Sequence, residues 1–305
     1  MWAERALDAW SALERDAIQK SRFRLRILDG PIGKRAPLWP IAHVLWAAAE
    51  VRALGHAAPI EDLDRALEPY RSGDAFAATP RGRRYYDDNA WLGLAFLRLG
   101  AVTGDTSWRD RAACLARFTR TGEHPEGGVR WAEGSDSRNA CSTASGAWLV
   151  ADTDVPQARD TASRWMDWLD ATLLGDDRLY GDRIEDGSID HRRWTYNQGA
   201  SLAALRRLGR PTAPLTDAIV ERWPADRLWT EPPAFAAIAY RALQEERDDR
   251  GRIDDVWDPY LERLIREARE AESGWYVSGG VGSYDGRPAI DQAAVVQMLA
   301  LRSVT

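Results

Sequence analysis

Two adjacent carboxylates, Asp87 and Asp88, are the residues whose type and spacing best suit chemistry in this sequence. They stand before an apolar stretch in which Trp91, Leu92 and Ala95 follow the spacing of one helix face. The opposite face of this stretch is apolar too. We therefore expect a helix that is buried all round, with both aspartates at its mouth.

Such a pair can have a structural or a catalytic purpose. A helix N-cap aspartate accepts hydrogen bonds from free backbone N–H groups and is favoured by the helix dipole. Alternatively, repulsion between two close carboxyl groups separates their pKa values, so that one stays ionised while the other keeps its proton. Capping needs only one carboxylate. It also leaves the flanking aromatic residues Tyr85, Tyr86 and Trp91 unexplained, and these could line a sugar-sized pocket.

Composition excludes several classes of partner. The 305 residues carry 41 Lys and Arg against 47 Asp and Glu, a formal net charge of −6. This balance argues against nucleic acid or an anionic membrane as a partner. Fifteen tryptophans against five phenylalanines suit stacking on sugar faces as well as core filling. Cys114 and Cys141 have no disulfide or metal-site spacing, so we expect free buried thiols.

Caps, breakers and periodicity predict a chain of helices. They lie near residues 2–19, 38–54, 60–69, 87–102, 106–119, 139–152, 156–174, 195–208, 213–223, 231–246, 253–270 and 288–302. Odd-numbered helices carry charges on one face, whereas even-numbered ones are poor in charge. This alternation is typical of an outer ring of helices around a buried inner ring. We therefore predict a single all-α domain over 1–305, an (α/α)6 barrel of six helical hairpins.

The inner helices of such a barrel all start at one end, because each outer helix returns the chain. We expect the active site at that end. The residues that converge there are Leu38–Pro40, Asp87–Asp88, Arg138–Asn139, Trp194–Gln198, Glu231–Pro233 and Asp291–Gln292. Three longer loops, 127–131, 179–183 and 274–280, are predicted to reach the same end.

Four stretches follow one another along the chain in an order that is informative about the family. They are Tyr85–Trp91, Gly127–Val129, Asn139–Ala140 before a helix, and Trp194–Gly199. In this order and spacing they resemble glycoside hydrolase family 76, the endo-α-1,6-mannanases. The resemblance implies an (α/α)6 barrel and a retaining hydrolase of α-mannosides, with Asp87 as nucleophile and Asp88 as general acid/base. It also implies that Asp182 binds sugar hydroxyls.

The predicted site therefore pairs the two catalytic aspartates with aromatic and polar groups that contact an α-mannoside oligosaccharide or polysaccharide. These substrate-binding candidates are Tyr86, Trp91, Trp131, Asn139, Asp182, Trp194, Tyr196, Asn197 and Gln198. Trp91 also suits packing beneath the site. No cofactor is expected, and no metal, because no His/Asp/Glu cluster has ligand spacing. Two departures from the family pattern, Arg130 and Ser142–Thr143, predict altered subsites.

The predicted reaction is a double displacement on α-1,6-mannosidic linkages. Adjacent residues at a helix start can bring their carboxyl groups to the roughly 5–5.5 Å of retaining enzymes, whereas inverting pairs need about 6.5–9.5 Å. The N-terminal segment lacks the apolar region of a signal peptide, which predicts a cytoplasmic protein.

Two other functions share this barrel. An inactive, glycan-binding barrel would be expected to have lost one acid, and both are present. A sugar epimerase would use histidines in the barrel mouth. The sequence has only four histidines, and His43 falls on a buried helix face, so the histidines argue against an epimerase.

Overall fold

The computed structural model describes residues 1–21, 24–30, 33–276, 279–286 and 288–304, and these form an all-α barrel, as predicted. Thirteen α-helices occur in the described residues. In chain order they are α1 (Trp2–Ala17), α2 (Leu38–Ala53), α3 (Ile60–Leu67), α4 (Tyr86–Thr103), α5 (Ser107–Thr121), α6 (Ala140–Ala151), α7 (Ala158–Thr172), α8 (Thr195–Leu208), α9 (Ala213–Arg222), α10 (Ala225–Leu228), α11 (Pro233–Leu243), α12 (Arg250–Arg263) and α13 (Pro288–Ser303).

Six of these helices form a closed inner ring. Helix α2 packs on α4, α4 on α6, α6 on α8, α8 on α11, α11 on α13, and α13 returns to α2. An inner helix has neighbours on both sides and a third helix outside it, so it is buried all round. In α6, for example, every residue from Ala140 to Val150 is buried. This explains the charge-poor sequences of the even-numbered predicted helices.

The outer helices pack on this ring through one face. Helix α1 contacts α13, α5 contacts α4, and α7 contacts α6. In α1 the buried residues include Ala6, Ala9 and Leu13, which recur at helical spacing, while the other face remains charged. None of the described helices combines the length and the apolar character needed to cross a bilayer.

Short strands interrupt the helical pattern at positions where the sequence predicted none. They are β1 (Ile18–Ser21), β2 (Arg24–Ile27), β3 (Arg71–Ser72), β4 (Ala75–Phe76), β5 (Arg138–Asn139), β6 (Arg183–Glu185) and β7 (Ser188–Asp190). Strands of two to four residues are too short to show a period-two pattern. The first predicted helix consequently extends two residues too far, because Ile18 is extended and pairs with Ile27.

Most other helix boundaries also differ from the prediction, among them those of α11 and α12. Helix α11 begins at Pro233 rather than Glu231, because Pro232 is its N-cap residue and a proline fits the first helical position. Helix α12 ends at Arg263 and continues as a π-helical turn over Leu264–Ala268. Of the loop predicted over 274–280, Val277 and Ser278 lie outside the described residues.

Candidate active site

A cleft of about 660 Å³ opens at the end of the barrel where the inner helices start. Each of the first five inner helices contributes a side chain from its first turn. These are Trp39, Asp87, Cys141, Tyr196 and Phe235. Tyr284, in the loop before the sixth inner helix, completes this set. The convergence of the inner-helix starts therefore produces one concave site.

Asp87 and Asp88 occupy the second and third positions of α4, and both line the cleft. Neither is the N-cap residue, which is Tyr85 in an extended conformation. Oδ1 of Asp87 accepts a hydrogen bond from the backbone N–H of Asp88 at 3.0 Å. Oδ1 of Asp87 thus accepts from one of the free backbone N–H groups in the first turn of α4. Its other oxygen, Oδ2, is directed to the site.

Two side chains donate to that second oxygen of Asp87. The indole N–H of Trp131 lies 3.1 Å from Oδ2, and the thiol of Cys141 lies 3.4 Å from the same atom. Burial raises the pKa of Asp87 to about 6, and the hydrogen bonds from Cys141, Asp88 and Trp131 oppose this rise. The donors stabilise the ionised carboxylate, but burial has the larger effect, so the proton is held more tightly than by a carboxyl group in water.

A short backbone contact places Trp131 beside Asp87. Tyr85 forms an antiparallel bridge with Ala132, and the backbone N–H of Tyr86 donates to the carbonyl of Trp131 at 2.9 Å. The loop that carries Trp131 is therefore fixed to the start of α4. Trp131 is 40% exposed and lines the cleft, so its ring is accessible to a ligand.

Tyr196 and Cys141 line the cleft together with Asp87. The Cys141 thiol lies 3.4 Å from Oδ2 of Asp87. Burial, and secondarily the negative charge of Asp87, raise the pKa of the Cys141 thiol well above its ordinary value. Burial likewise raises the pKa of Tyr196 far above its ordinary value. Both groups therefore keep their protons, and Cys141 acts as a neutral donor to Asp87.

Aromatic rings form one wall of the cleft. Trp39 meets Tyr284 edge to face with centroids 4.5 Å apart, and Tyr196 lies 4.3 Å from Phe235. Trp91 is 1% exposed and contributes to the cleft from below. This wall offers apolar faces of the kind that sugar rings stack on.

The opposite side of the cleft is polar and rests on a small sheet. Strand β5 pairs with β6, so that Asn139 lies opposite Arg183. The backbone N–H of Ala140 donates to the carbonyl of Asp182 at 2.8 Å. This pairing brings the start of α6 and the loop before α8 together, and it places Asn139, Asp182 and Arg183 in the cleft.

Asn197 holds the carboxylate of Asp182 in place. Its side-chain N–H donates to Oδ1 of Asp182 at 3.2 Å, and both residues are buried. Burial raises the pKa of Asp182, and the hydrogen bond from Asn197 opposes the rise. Asn197 does not itself line the cleft, so its place is behind Asp182 rather than on a substrate.

Side chains on the inner helices also tie the preceding loops to the barrel. The Gln198 amide accepts from the backbone N–H of Tyr180 at 2.8 Å and donates to its carbonyl at 3.0 Å. Asn89 bonds both backbone groups of Phe76 in the same way, and Gln292 accepts from the N–H of Tyr276. We call these three residues, Asn89, Gln198 and Gln292, the amide clamps.

Seven of the predicted site residues line the cleft. They are Asp87, Asp88, Trp91, Trp131, Asn139, Asp182 and Tyr196. Four do not. Tyr86 is 5% exposed and stacks on Phe118 in the core, Trp194 packs edge to face on Phe235, and Asn197 and Gln198 hold neighbouring groups. The structure therefore places these four outside the lining of the cleft, and their contact with substrate stays a prediction.

The two departures that suggested altered subsites also lie outside the cleft. The guanidinium of Arg130 donates to the backbone carbonyl of Glu123 at 3.0 Å. Ser142 donates to the carbonyl of Val129, and the hydroxyl of Thr143 accepts from its N–H. This hydroxyl pair acts on Val129 as an amide clamp acts on its loop. The departures are therefore structural and do not indicate different subsites.

Sequence reasoning missed several cleft residues. Trp39 belongs to the segment Leu38–Pro40 that was predicted to converge on the site, and Phe235 follows the segment Glu231–Pro233, but neither was named as a substrate-binding candidate. Cys141 follows the Asn139–Ala140 motif by one residue and offered no signal of its own. His43, in contrast, is fully buried, with Nδ1 3.2 Å from Gln297, as expected for a core histidine. Among the described residues, no group of three His, Cys, Asp or Glu could hold a metal ion.

A family model describes the part of the chain that builds most of this site. The model for glycosyl hydrolase family 76 matches residues 34–214, which is more than half of the sequence. The chain belongs to glycosyl hydrolase family 76. It is therefore a member of a family of glycoside hydrolases, and its barrel and aspartate pair agree with the predicted resemblance.

Solved structures show the same fold. A family 76 glycoside hydrolase from a bovine Bacteroides thetaiotaomicron strain is 18% identical with a TM-score of 0.84, over 99% of this chain and 77% of that one. A family 76 mannosidase from Bacteroides thetaiotaomicron VPI-5482 is 18% identical with a TM-score of 0.83, over 99% and 98%. An inactive variant of the α-1,6-mannanase of Salegentibacter sp. HEL1_6, with two consecutive aspartates changed to asparagine and α-1,6-mannotriose bound, is 19% identical with a TM-score of 0.79, over 100% and 99%.

One curated relative matches a smaller region. The meiotically up-regulated gene 191 protein of Schizosaccharomyces pombe is 28% identical in an alignment 166 residues long that covers 46% of this chain. The aligned region spans 37% of that relative's length.

Proposed function

We propose that this family 76 member is a retaining α-mannoside hydrolase that cleaves α-1,6-mannosidic linkages with Asp87 and Asp88. One observation carries the proposal. The two carboxylates lie side by side at the start of α4 in an aromatic cleft, and Asp87 accepts three hydrogen bonds from Trp131, Cys141 and the Asp88 backbone.

Asp87 is the nucleophile in this proposal. The three donors limit the rise in pKa that burial causes, and a pKa of about 6 leaves Asp87 mostly ionised at neutral pH. It attacks the anomeric carbon and forms a glycosyl ester, while the bond from that carbon to the leaving oxygen breaks. Asp88 gives its proton to the leaving oxygen in this step.

The second step regenerates both groups. Asp88, now ionised, takes a proton from a water molecule, which attacks the anomeric carbon and displaces the Asp87 carboxylate. Two displacements at the same carbon restore the original configuration. The product is therefore expected to appear first as the α-anomer. This mechanism requires the carboxyl groups of Asp87 and Asp88 to lie roughly 5–5.5 Å apart.

The charges and rings of the cleft support an uncharged sugar as substrate. Four carboxylates, Asp87, Asp88, Asp182 and Glu185, line it against the guanidinium of Arg183, which disfavours an anionic ligand. The aromatic wall suits stacking on sugar rings. The Salegentibacter α-1,6-mannanase, which shares this fold, has been seen with α-1,6-mannotriose and α-1,6-mannotetrose, so α-1,6-linked mannose is the sugar we propose.

Hydrolysis of α-1,6-mannotetraose followed by proton NMR tests the proposal. We expect reducing-end anomeric signals of the α form to appear first and to mutarotate afterwards. The double variant Asp87→Asn, Asp88→Asn is the matched inactive control. First release of the β-anomer would exclude Asp87 as nucleophile, and no turnover by the wild-type protein would favour a glycan-binding barrel. The cytoplasmic location stays a prediction.

A further inference from the structure

The buried carboxyl group of Asp291 has no part in the mechanism proposed above. Asp291 is the fourth residue of α13, the sixth inner helix, and it is 2% exposed and does not line the cleft. The helix dipole favours an acidic residue in the first turn of a helix. Asp291 also accepts three hydrogen bonds, however, and each of them comes from another segment of the chain. The dipole alone therefore does not account for this residue.

The two oxygens of Asp291 join two segments that carry cleft residues. Oδ1 accepts from the backbone N–H of Ala234, in the first turn of α11, at 3.3 Å. Oδ2 accepts from the backbone N–H of Tyr284 at 3.0 Å and from the hydroxyl of Ser283 at 3.1 Å. Tyr284 lines the cleft, and so does Phe235, the residue after Ala234. Asp291 therefore ties both segments to the start of α13.

Burial makes these hydrogen bonds important to Asp291 itself. Burial raises the pKa of Asp291 to about 6, and the bonds from Tyr284, Ala234 and Ser283 oppose this rise. All three donors are neutral groups. A buried carboxyl group is costly unless its oxygens are hydrogen-bonded, so Asp291 and the two segments hold each other in place.

One of the two segments depends on such contacts more than the other. The aromatic wall consists of Trp39, Tyr196, Phe235 and Tyr284, and the first three lie in the first turns of inner helices. Tyr284 lies in the loop before α13. Its ring centroid is 4.5 Å from that of Trp39 and 5.8 Å from that of Phe235. The bond to Asp291 fixes the backbone from which this ring projects.

The aromatic wall faces the proposed nucleophile across the barrel. The inner ring runs in the order α2, α4, α6, α8, α11 and α13, so α11 stands three places from α4 in either direction. Phe235 at the start of α11 and Asp87 at the start of α4 therefore lie on opposite sides of the cleft, which both residues line. A sugar bound at Asp87 has the wall on its other side.

We propose that Asp291 is a positioning residue for the substrate, which holds Tyr284 and the start of α11 so that the aromatic wall keeps a sugar ring against Asp87. Asp291 acts through these rings and does not contact the sugar. A stacking face that is fixed beforehand loses less freedom when a ligand binds, so the effect should fall on KM more than on kcat. The role in substrate binding rests on the proposed function, whereas the position of Tyr284 can be measured without a substrate.

Asp291→Asn tests the proposal. The amide keeps the shape of the carboxyl group but has one acceptor oxygen, so it cannot accept from both Ala234 and Tyr284. We expect KM for α-1,6-mannotetraose to rise about tenfold, with kcat within about twofold of the wild-type value. Gln292→Leu is the matched control, because Gln292 is the next residue on α13, is also buried and bonds Tyr276, which is not part of the wall. Equal KM values in Asp291→Asn and Gln292→Leu would overturn the proposal.

Hydrogen exchange followed by mass spectrometry measures the positioning directly. Loss of the bond from its N–H should speed exchange in the peptide around Tyr284, and more in Asp291→Asn than in Gln292→Leu. Unchanged exchange around Tyr284 in Asp291→Asn would overturn the proposal, whatever the substrate. Faster exchange with an unchanged KM would overturn it too, since the substrate would then not depend on the position of the wall.

A double-mutant cycle with Tyr284→Ala distinguishes action through this ring from a general loss of stability. The double variant Asp291→Asn, Tyr284→Ala should raise KM by clearly less than the product of the two single rises, because both changes remove the same ring from its place. A rise equal to the full product would contradict the proposal.

Calorimetric titration with α-1,6-mannotetraose makes the comparison independent of turnover. The titration uses the inactive Asp87→Asn, Asp88→Asn protein with and without Asp291→Asn, and the added change should weaken binding about tenfold. Faster exchange around Tyr284 together with no binding of the tetrasaccharide to either protein would refute the proposed substrate and still support the positioning of Tyr284 by Asp291. Equal binding to the two proteins would refute the positioning role and leave the proposed substrate supported.

Discussion

The indole N–H of Trp131 donates to Oδ2 of Asp87 across 3.1 Å, although the two residues are 44 positions apart in the sequence. The bond joins the most exposed aromatic group of the cleft to the proposed nucleophile. A sugar that stacks on Trp131 therefore contacts a residue that also stabilises the charged form of Asp87. The pH dependence of the reaction should report this contact.

We expect kcat/KM to fall as the pH decreases through about 6. Burial raises the folded-state pKa of Asp87 to about 6, and the nucleophile must be ionised, so protonation below that pH removes activity. Trp131→Phe removes a hydrogen bond that favours the charged form and should move this acidic limb upward by about one pH unit. The measurement is a pH profile of kcat/KM for both proteins. An unchanged limb in Trp131→Phe would show that Asp87 does not set it.

Replacing either aspartate should abolish most of the activity, but in different ways. Asp88→Asn removes a general acid, a loss of about 10²–10⁴-fold on manno-oligosaccharides. The loss should be much smaller on an aryl mannoside whose leaving group needs no proton. Asp87→Asn should be equally inactive on both substrates, because it lacks the nucleophile. Steady-state kcat values on the two substrates decide this, and equal losses for Asp88→Asn would contradict its role as acid.

The two cysteines should differ sharply in reactivity. Burial and the neighbouring Asp87 raise the pKa of Cys141, so its reactive thiolate is scarce, whereas Cys114 is half-buried on the outer helix α5. We expect iodoacetamide to label Cys114 first without loss of activity. Slow labelling of Cys141 should then inactivate the enzyme, because the added group would enter the cleft.

Mass spectrometry of labelled peptides, sampled together with activity, measures both rates. A manno-oligosaccharide should protect Cys141 and leave Cys114 unprotected. Inactivation that followed Cys114 labelling instead would argue against this assignment. Cys141→Ser, which keeps a hydroxyl donor near Asp87, should retain activity.

Loss of the amide clamp Gln198 or Gln292 should lower the free energy of unfolding. Only the loss of Gln198 should also raise the KM for the substrate. Gln198→Leu leaves the buried N–H and C=O of Tyr180 unpaired, at a cost of about 2–4 kcal/mol in the free energy of unfolding. The same loop carries Asp182, so KM should rise. Gln292→Leu is the matched control. This substitution removes the hydrogen bond from the backbone N–H of Tyr276, a residue that does not line the cleft. It should therefore lower stability with little change in KM.

Urea unfolding and steady-state kinetics on the two variants make the comparison. Equal KM values in both would indicate that the position of Asp182 does not depend on Gln198.

The barrel could be predicted from sequence because an inner helix must be buried all round, and α6 shows this directly in its composition. The directions of side chains were harder to predict from the sequence. Tyr85 and Tyr86 are adjacent, but Tyr85 is the extended N-cap residue and Tyr86 is the first residue of α4, so their side chains point in different directions. Tyr85 lines the cleft, whereas Tyr86 packs on Phe118. No local pattern distinguishes the two before the first residue of α4 is known.

Contacts between distant segments were also beyond the sequence. Strands β5 and β6 pair residues around 139 and 183, and each is too short for its pattern to be recognised. The contact of Cys141 with Asp87 depends on how α4 and α6 are set against each other along their axes. Chemistry carried by single residues is therefore predictable here, but the neighbours that tune it are not.

The inner ring is closed by the packing of α13 on α2, helices separated by most of the chain. During synthesis on the ribosome, α2 has no partner on this side until more than two hundred further residues have been made. Its apolar surface, including Ile41 and Leu45, stays exposed on this side during that interval. Nascent chains that do not yet include α13 should thus bind chaperones, and enzyme activity should arise only once α13 has been made.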